Sequence, residues 1–357
     1  MDVSSSRGGR IAVNRKKALE GIFFLLVMGL SFHTVFRGQD MKQVSAALRS
    51  LSPLSLVLSL ALALFFVSAE GIMIWYLLCG MQGGGQTGRG SLVKCLSYSF
   101  IGFFYSGITP SATGGQPMQL YYMCRDRHSL PDASVVLMTV ALLYKFVLVV
   151  VGVVMLLFWH GPLRAYLGEY FPLYLLGLAL NVILVLLLLA LMLAPEGMKR
   201  IAFALERALV KSRILKPSVH RKEKIEQFIG GYRDAVAFLA GHKSRVIKTC
   251  LFTLLQRCSV FVLTWIIYRG FALEGADALT VALLQASVYI AVDMLPVPGA
   301  QGITEMMYRR VFGRIFTGGY LTPSLCVTRG ISFYFLLIVG MAVIAANHVY
   351  RRRCEPR

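Results

Sequence analysis

The stretch SGITPSATGGQPMQLYY, from Ser106 to Tyr122, interrupts a chain that is otherwise rich in apolar residues. It contains two prolines, three glycines and two glutamines. Proline removes a backbone donor and glycine loosens a helix, so this stretch does not favour a continuous membrane-spanning helix. In lipid, irregular backbone is tolerated only where it is buried in protein or lines a wet cavity. We therefore predict the tip of a re-entrant hairpin, with Pro117 in the first turn of the outgoing half-helix.

The surrounding composition is that of a membrane protein. The 357 residues are 57% hydrophobic and only 15% charged, with a mean hydropathy of +0.66. Soluble domains are about 25% charged, and several apolar runs here reach the roughly 20 residues that span a bilayer. We predict a polytopic membrane protein. Its full spans are predicted at 18–36, 53–79, 133–159, 171–194, 247–269 and 321–348.

Two further apolar regions are interrupted near their middle. The first broken region, 92–124, is interrupted at TPSATGGQP, and the second broken region, 278–315, at LPVPGAQG. We predict that each enters and leaves on the same side of the membrane. The predicted fold class is therefore an all-α polytopic membrane protein with six full spans and two re-entrant helical hairpins.

The charge distribution orients this topology. The net charge is +20, from 37 basic and 17 acidic residues, and most basic residues lie between the apolar runs. By the positive-inside rule both termini are predicted to be cytoplasmic. The excess charge then indicates contact with the bilayer and with anionic phospholipid rather than with nucleic acid. The predicted cytoplasmic segments are a basic N-terminus, 1–17, the connections 80–94 and 125–131, a basic amphipathic segment, 195–246, and a basic tail, 349–357.

The amphipathic segment has two readings, which the sequence leaves equally open. Ile225, Ile229, Tyr232 and Leu239 fall on one helical face, whereas Lys224 lies elsewhere. That pattern is typical of a helix lying on the cytoplasmic leaflet. It is equally typical of a connector between the two halves of the protein.

The two halves of the membrane domain, 18–348, have the same order of elements. A first repeat, 18–159, and a second repeat, 171–348, each consist of two spans, a hairpin and a span, in opposite orientations. Inverted repeats of this kind are common in secondary transporters. The intramembrane charges follow the repeat, because Glu70 and Arg257 precede the tip prolines by nearly equal distances.

The hairpin tips are predicted to form a polar site near the membrane midplane. The N-termini of the outgoing half-helices would point there, and their positive dipole ends favour an anion such as phosphate. Basic side chains would add positive charge, and acidic ones would bind a cation, a proton or a basic head group. The alternative is that acids and bases merely neutralise one another. The predicted translocation site comprises Glu70, Pro110, Ser111, Thr113, Gly114, Gly115, Gln116, Gln119, Lys145, Arg257, Asp293, Pro296, Pro298, Gly299, Gln301, Gly302, Glu305 and Arg329.

Two motifs carry a family resemblance. ITPSATGGQPMQLYYM and LPVPGAQGITE resemble the signature regions of the lysylphosphatidylglycerol synthase transmembrane family. The run P-x-P-G-x-x-G-x-x-E, which begins at Pro296 and ends at Glu305, is the more specific match, and Arg329 also resembles the family. The similarity covers about 18–348.

The resemblance implies a bacterial plasma-membrane protein that moves a phospholipid or a lipid-linked molecule between leaflets. In bifunctional relatives the cargo is aminoacyl-phosphatidylglycerol, whose exposure repels cationic antimicrobial peptides. Those relatives carry a soluble synthase domain, whereas this chain ends at Arg357, shortly after its last span. We therefore expect no phosphatidylglycerol lysyltransferase activity.

Two other function classes stay open. The first is a membrane enzyme of lipid modification, although no G-x-S-x-G, H-E-x-x-H or Walker motif is present. The second is an accessory subunit that supports a separate lipid-modifying synthase. The seven cysteines and six histidines are scattered, so we predict no metal and no cofactor. Oligomeric state is open, a homo-oligomer included.

Overall fold

The structure is a computed structural model, and its described residues form helices joined by turns. It describes residues 29, 41–81, 91–109, 112–194, 196–197, 199–200, 203–204, 206–207, 219–295, 297–300 and 302–354. The helices are α1 (Met41–Arg49), α2 (Pro53–Met81), α3 (Leu92–Ile108), α4 (Gly115–Arg125), α5 (Leu130–Phe158), α6 (His160–Leu167), α7 (Phe171–Leu193), α8 (Val219–Gly241), α9 (Lys243–Gly270), α10 (Ala278–Val292), α11 (Ile303–Phe312), α12 (Leu321–Arg329) and α13 (Leu336–Cys354). Short 3-10 turns cover Gly168–Tyr170 and Pro298–Ala300, and a π turn covers Gly330–Phe335.

Five helical stretches are long and apolar enough to cross a membrane. At 1.5 Å per residue, about 20 residues match the roughly 30 Å hydrocarbon core. They correspond to five of the six predicted spans, so an all-helical multi-pass membrane protein is confirmed. The remaining prediction, 18–36, lies outside the described residues apart from Gly29. The five stretches are Pro53–Met81, Leu130–Phe158, His160–Leu193, Lys243–Gly270 and Leu321–Arg351.

Four details differ from the sequence prediction. The helix α6 precedes α7 where a loop was expected, and α1 lies between the first two predicted spans. The last span is not uniform, because the π turn separates α12 from α13 immediately after Arg329. Such one-turn π segments are frequent at functional sites. The predicted start of the third span at 133 is also late, because Ser129 accepts a hydrogen bond from the Asp132 amide (3.2 Å) and caps α5.

Both broken regions are pairs of short helices. In the first, α3 and α4 have 17 and 11 residues; in the second, α10 and α11 have 15 and 10. None of these lengths reaches the roughly 20 residues of a full span. The prediction that proline- and glycine-rich tips interrupt the helices is therefore confirmed. The re-entrant path and the inverted repeat stay predictions.

Glycines bring the two helices of the first broken region together. A Cβ at Gly115 would lie 2.7 Å from the Gly102 carbonyl oxygen, and Gly102 itself faces the Gln119 side chain. Because Gly102 precedes the tip and Gly115 and Gln119 follow it, α3 and α4 run antiparallel. Thr109 fixes the turn by accepting a hydrogen bond from the Gly114 amide at 2.9 Å.

The helix α8 is amphipathic as predicted and packs against α5. Ile229, Tyr232 and Leu239 are buried, whereas Lys224 and Arg233 are exposed. Its apolar face therefore contacts the bundle. Whether α8 also lies on the leaflet stays a prediction.

Candidate functional site

Two buried ion pairs join the second broken region to neighbouring long helices. At the end of α10, the Asp293 carboxylate accepts a hydrogen bond from the Lys145 ammonium on α5. The Tyr144 hydroxyl donates to the other Asp293 oxygen at 3.2 Å. The Lys145 and Asp293 side chains are only 15% and 12% exposed. This end of α10 therefore binds α5 through two hydrogen bonds, one from the charged Lys145 and one from the neutral Tyr144.

The second ion pair lies at the start of α11. Arg329 on α12 donates from Nε to Glu305 Oε1 at 2.8 Å and from Nη2 to the Gly299 carbonyl oxygen at 3.0 Å. The other Glu305 oxygen accepts the Gly302 amide, which caps α11. The Glu305 side chain is 2% exposed. One carboxylate thus satisfies the helix N-terminus and neutralises a buried guanidinium.

The tip of the second broken region depends on glycine. Gly299 has φ +59°, a conformation that side chains rarely adopt, and a Cβ there would meet the Phe333 ring. Gly302 also has a positive φ, of +81°. Phe333 in turn lies near Arg329, with 4.9 Å between the guanidinium carbon and the ring centroid. The tip backbone, the aromatic ring and the arginine form one packed unit.

A hydrogen bond links the first broken region to α2. Gln119 on α4 donates from Nε2 to Glu70 Oε1 at 2.6 Å, and Gln119 is 3% exposed. This link joins a carboxyl group to an amide, in contrast to the two ion pairs of the second region.

Arg257 on α9 is the largest fully buried side chain of the described residues, with 1% exposure. Its guanidinium carbon lies 3.3 Å from the Tyr144 ring centroid and 4.8 Å from that of Phe66. Within the described part of the chain, its Nε and Nη1 meet no hydrogen-bond partner. Glu70 is near enough for the two charges to interact.

The family comparison agrees with this architecture. Residues 18–340 match the family model described as the lysylphosphatidylglycerol synthase TM region. The chain belongs to this family. A search of curated proteins gave no match. Membership in the lysylphosphatidylglycerol synthase TM family links this multi-pass membrane protein to lipid modification.

In this family member, the predicted site residues divide into three groups. Five of the six charged ones join a broken region to α2, α5 or α12, and Arg257 on α9 lies against Tyr144 on α5 and Phe66 on α2. Thr113 and Gln116 lie at the first tip and are exposed, and Gly114, Gly115 and Gln119 lie there beside α3. At the second tip, Pro298 and Gly299 form the 3-10 turn and Gly302 precedes α11. Pro110, Ser111, Pro296 and Gln301 lie outside the described residues.

The structure also places residues at the site that sequence reasoning missed. Tyr144, Phe66 and Phe333 hold the basic side chains, but an aromatic residue in an apolar run has no pattern that separates it from a lipid-facing one. Tyr144 could have been noticed as a hydroxyl beside Lys145. The start of α11 is a further finding, since Glu305 already occupies part of the positive helix end that we predicted for an anion.

A second polar cluster lies at the far end of the first broken region. Asp126 accepts hydrogen bonds from Tyr98 (2.6 Å) and from Arg351 on α13 (2.8 Å). The Arg351 guanidinium carbon lies 5.5 Å from the Tyr122 ring centroid. This cluster ties the end of α13 to α3 and α4 and was not predicted.

Proposed function

We propose that this chain moves a phospholipid, or a lipid-linked molecule, between the leaflets of the bacterial plasma membrane. The head group would cross at a polar site near the midplane while the acyl chains stay in lipid. Aminoacyl-phosphatidylglycerol is one candidate cargo. Family membership and the five apolar helical stretches support a membrane protein of lipid metabolism.

One observation carries the proposal: four charged side chains form two buried ion pairs at the ends of interrupted helices. The pairs are Lys145–Asp293 and Glu305–Arg329. Charges within a membrane bundle are expensive, and they commonly mark substrate or ion pathways. Their position beside irregular backbone fits a transporter, because discontinuous helices commonly build the binding sites of this class.

The positions at which two of the broken helices begin support the proposed path. The helices α4 and α11 begin at the tips, at Gly115 and Ile303. If both broken regions are re-entrant hairpins, both N-termini point to the membrane interior, as expected in an inverted repeat. Their positive ends would then favour an anionic head group.

The test is lipid movement by the purified full chain in liposomes. A trace of phosphatidylglycerol with a fluorescent head group is quenched from outside by an impermeant reductant, so quenching beyond the outer leaflet reports translocation. Glu305→Gln keeps the shape and one acceptor oxygen for Arg329 but removes the charge. We expect it to slow translocation about tenfold or more, as for loss of a charged hydrogen bond.

Glu274→Gln is the matched control, because Glu274 is an acid with 83% side-chain exposure in a loop. It should translocate at the wild-type rate. Quenching confined to the outer leaflet for wild type, over several head groups and with an imposed proton gradient, would contradict the proposal. Equal rates for wild type and a folded Glu305→Gln protein would contradict the proposed site.

A second candidate, an accessory subunit of a lipid-modifying synthase, is favoured by a basic surface cavity of about 500 Å³. It lies where α8 meets α9 and is lined by Tyr76, His242, Lys243, Arg245 and Lys248, among others. On this hypothesis, Lys243→Gln with Lys248→Gln should reduce aminoacylated lipid in cells, whereas Glu305→Gln should not. Lipid extraction and head-group analysis of the two strains would separate the candidates.

A further inference from the structure

The guanidinium of Arg257 is buried but incompletely satisfied. It is 1% exposed, and neither Nε nor Nη1 has a hydrogen-bond partner among the described residues. Leaving a buried charged donor unpaired carries a high free-energy cost. Such an arrangement persists when the group has another purpose, for example as a site for a ligand that supplies the absent acceptors.

The aromatic contacts do not supply these acceptors. At 3.3 Å between the Arg257 guanidinium carbon and the Tyr144 centroid, the two planes must lie face to face. Phe66 is the second aromatic neighbour, at 4.8 Å. Cation–π contact stabilises the charge through the faces of the guanidinium. The N–H groups lie in the guanidinium plane, so they point away from the Tyr144 ring and stay available to an acceptor.

The neighbouring carboxylates are already engaged. Asp293 binds Lys145 and Tyr144, and Glu305 binds Arg329 and the Gly302 amide. Glu70 accepts from Gln119 and acts on Arg257 only through longer-range attraction. Of the three predicted bases, Lys145 and Arg329 therefore neutralise protein acids, whereas Nε and Nη1 of Arg257 have no acceptor among the residues that the structure describes.

We propose that Arg257 is the subsite for a phosphate or phosphodiester oxyanion of the ligand. The guanidinium fork matches two phosphate oxygens, and Tyr144 and Phe66 hold its plane in a fixed orientation. This inference rests on the proposed function and narrows its substrate class to molecules that carry a phosphate group. Arg257 is occluded in this conformation, so the oxyanion enters in a second conformation, as alternating access requires.

The test is direct binding to the purified, delipidated full chain. The three probes are a short-chain phosphatidylglycerol, the corresponding short-chain diacylglycerol and inorganic phosphate. We expect Arg257→Gln to weaken phosphatidylglycerol binding about tenfold or more and to leave diacylglycerol binding unchanged. Arg269→Gln, on the same helix but with a side chain that is 49% exposed, should behave as wild type.

If Arg257→Gln does not fold, Arg257→Lys is the second variant, because it keeps the positive charge. It loses the fork, so it should weaken phosphatidylglycerol binding by severalfold while diacylglycerol binding stays at the wild-type level. Wild-type phosphatidylglycerol affinity in a folded Arg257 variant would overturn the subsite. Equal losses for phosphatidylglycerol and diacylglycerol would also overturn it, because they would show a purely structural role.

Inorganic phosphate identifies the source of the anion. If it competes with phosphatidylglycerol and depends on Arg257, the subsite stands and also accepts free phosphate; if it does not compete, the subsite stands as specific for lipid phosphate.

Liposome translocation, measured in parallel, separates this inference from the proposed function. Binding that depends on Arg257, in the absence of translocation, would contradict the proposed function but support the subsite. If neither translocation nor binding changes in the Arg257 variants, the subsite is wrong and the proposed function stands.

Discussion

The two broken regions have the same helical outline but are held in different ways. In the first region, α3 and α4 are held together by close packing at Gly102 and Gly115 and by the turn that Thr109 stabilises. The second is fastened by Asp293 and Glu305, each paired with a base on a long helix. Close packing fixes a region against its own partner helix, whereas ion pairs fix it to other parts of the bundle. Charge therefore holds the tip of the second region, whereas the ion pair of the first region, Asp126 with Arg351, lies at its far end.

The largest expected effect comes from breaking an ion pair of the second region. Glu305→Leu leaves the Arg329 guanidinium buried without its carboxylate, so the free energy of unfolding should fall by about 3–5 kcal/mol. Unfolding in mixed micelles of a mild and a denaturing detergent would measure it. The double variant with Arg329→Leu should recover much of the loss, since no unpaired charge remains. A double variant that is no more stable than Glu305→Leu would contradict the ion-pair explanation.

A medium effect is expected from overpacking the first region. Gly115→Ala places a methyl group 2.7 Å from the Gly102 carbonyl oxygen, which should cost about 1–3 kcal/mol in the same unfolding measurement. Gly230→Ala on α8 is the control, because nothing lies within 4 Å of that position. It should stabilise the helix by about 0.5–1 kcal/mol. Equal stability of the two variants would show that glycine contact does not hold α3 against α4.

The smallest expected effect comes from the N-terminal caps of α10 and α3, the first helices of the two broken regions. Asp277 caps α10 by accepting a hydrogen bond from the Thr280 amide at 3.0 Å, whereas Ser91 at the start of α3 makes no side-chain cap bond. Asp277→Ala should lower the free energy of unfolding by at most about 1 kcal/mol, and Ser91→Ala should leave it unchanged.

This cap should also depend on pH. The hydrogen bonds from Thr280 lower the pKa of the Asp277 carboxyl below its usual value. The contribution is therefore complete above the unfolded-state pKa of about 4 and disappears as the pH falls through the lowered folded-state value. The difference between wild type and Asp277→Ala should accordingly vanish in strong acid. A difference that does not change with pH would assign the effect to helix propensity instead.

Much of the fold could be predicted because membrane spans follow from local composition. Apolar runs gave five spans that the structure confirms, and proline and glycine located both interruptions. The helix α6 and the π turn after Arg329 could not be predicted in this way. A short helix at the end of a span and a one-residue change in helical hydrogen bonding leave no periodic signal in an apolar sequence.

The sequence also located six charges within the apolar regions but not their partners. It placed Glu70 and Arg257 at corresponding positions of the predicted repeat. The structure pairs Lys145 with Asp293 and Arg329 with Glu305, both in the second region. Four of the six charges thus lie in ion pairs within the protein in this conformation.

The sequence by itself determined a helical membrane protein, the positions of its two interruptions and six charges within its apolar regions. These follow from residue type alone, because apolar length, missing backbone donors and the cost of charge in lipid act locally. Only the tertiary structure decided that Tyr144 and Phe66 lie against Arg257 and that its Nε and Nη1 meet no acceptor in the described part of the chain. Pairing depends on which side chains meet across helices far apart in the chain, and no local pattern encodes that.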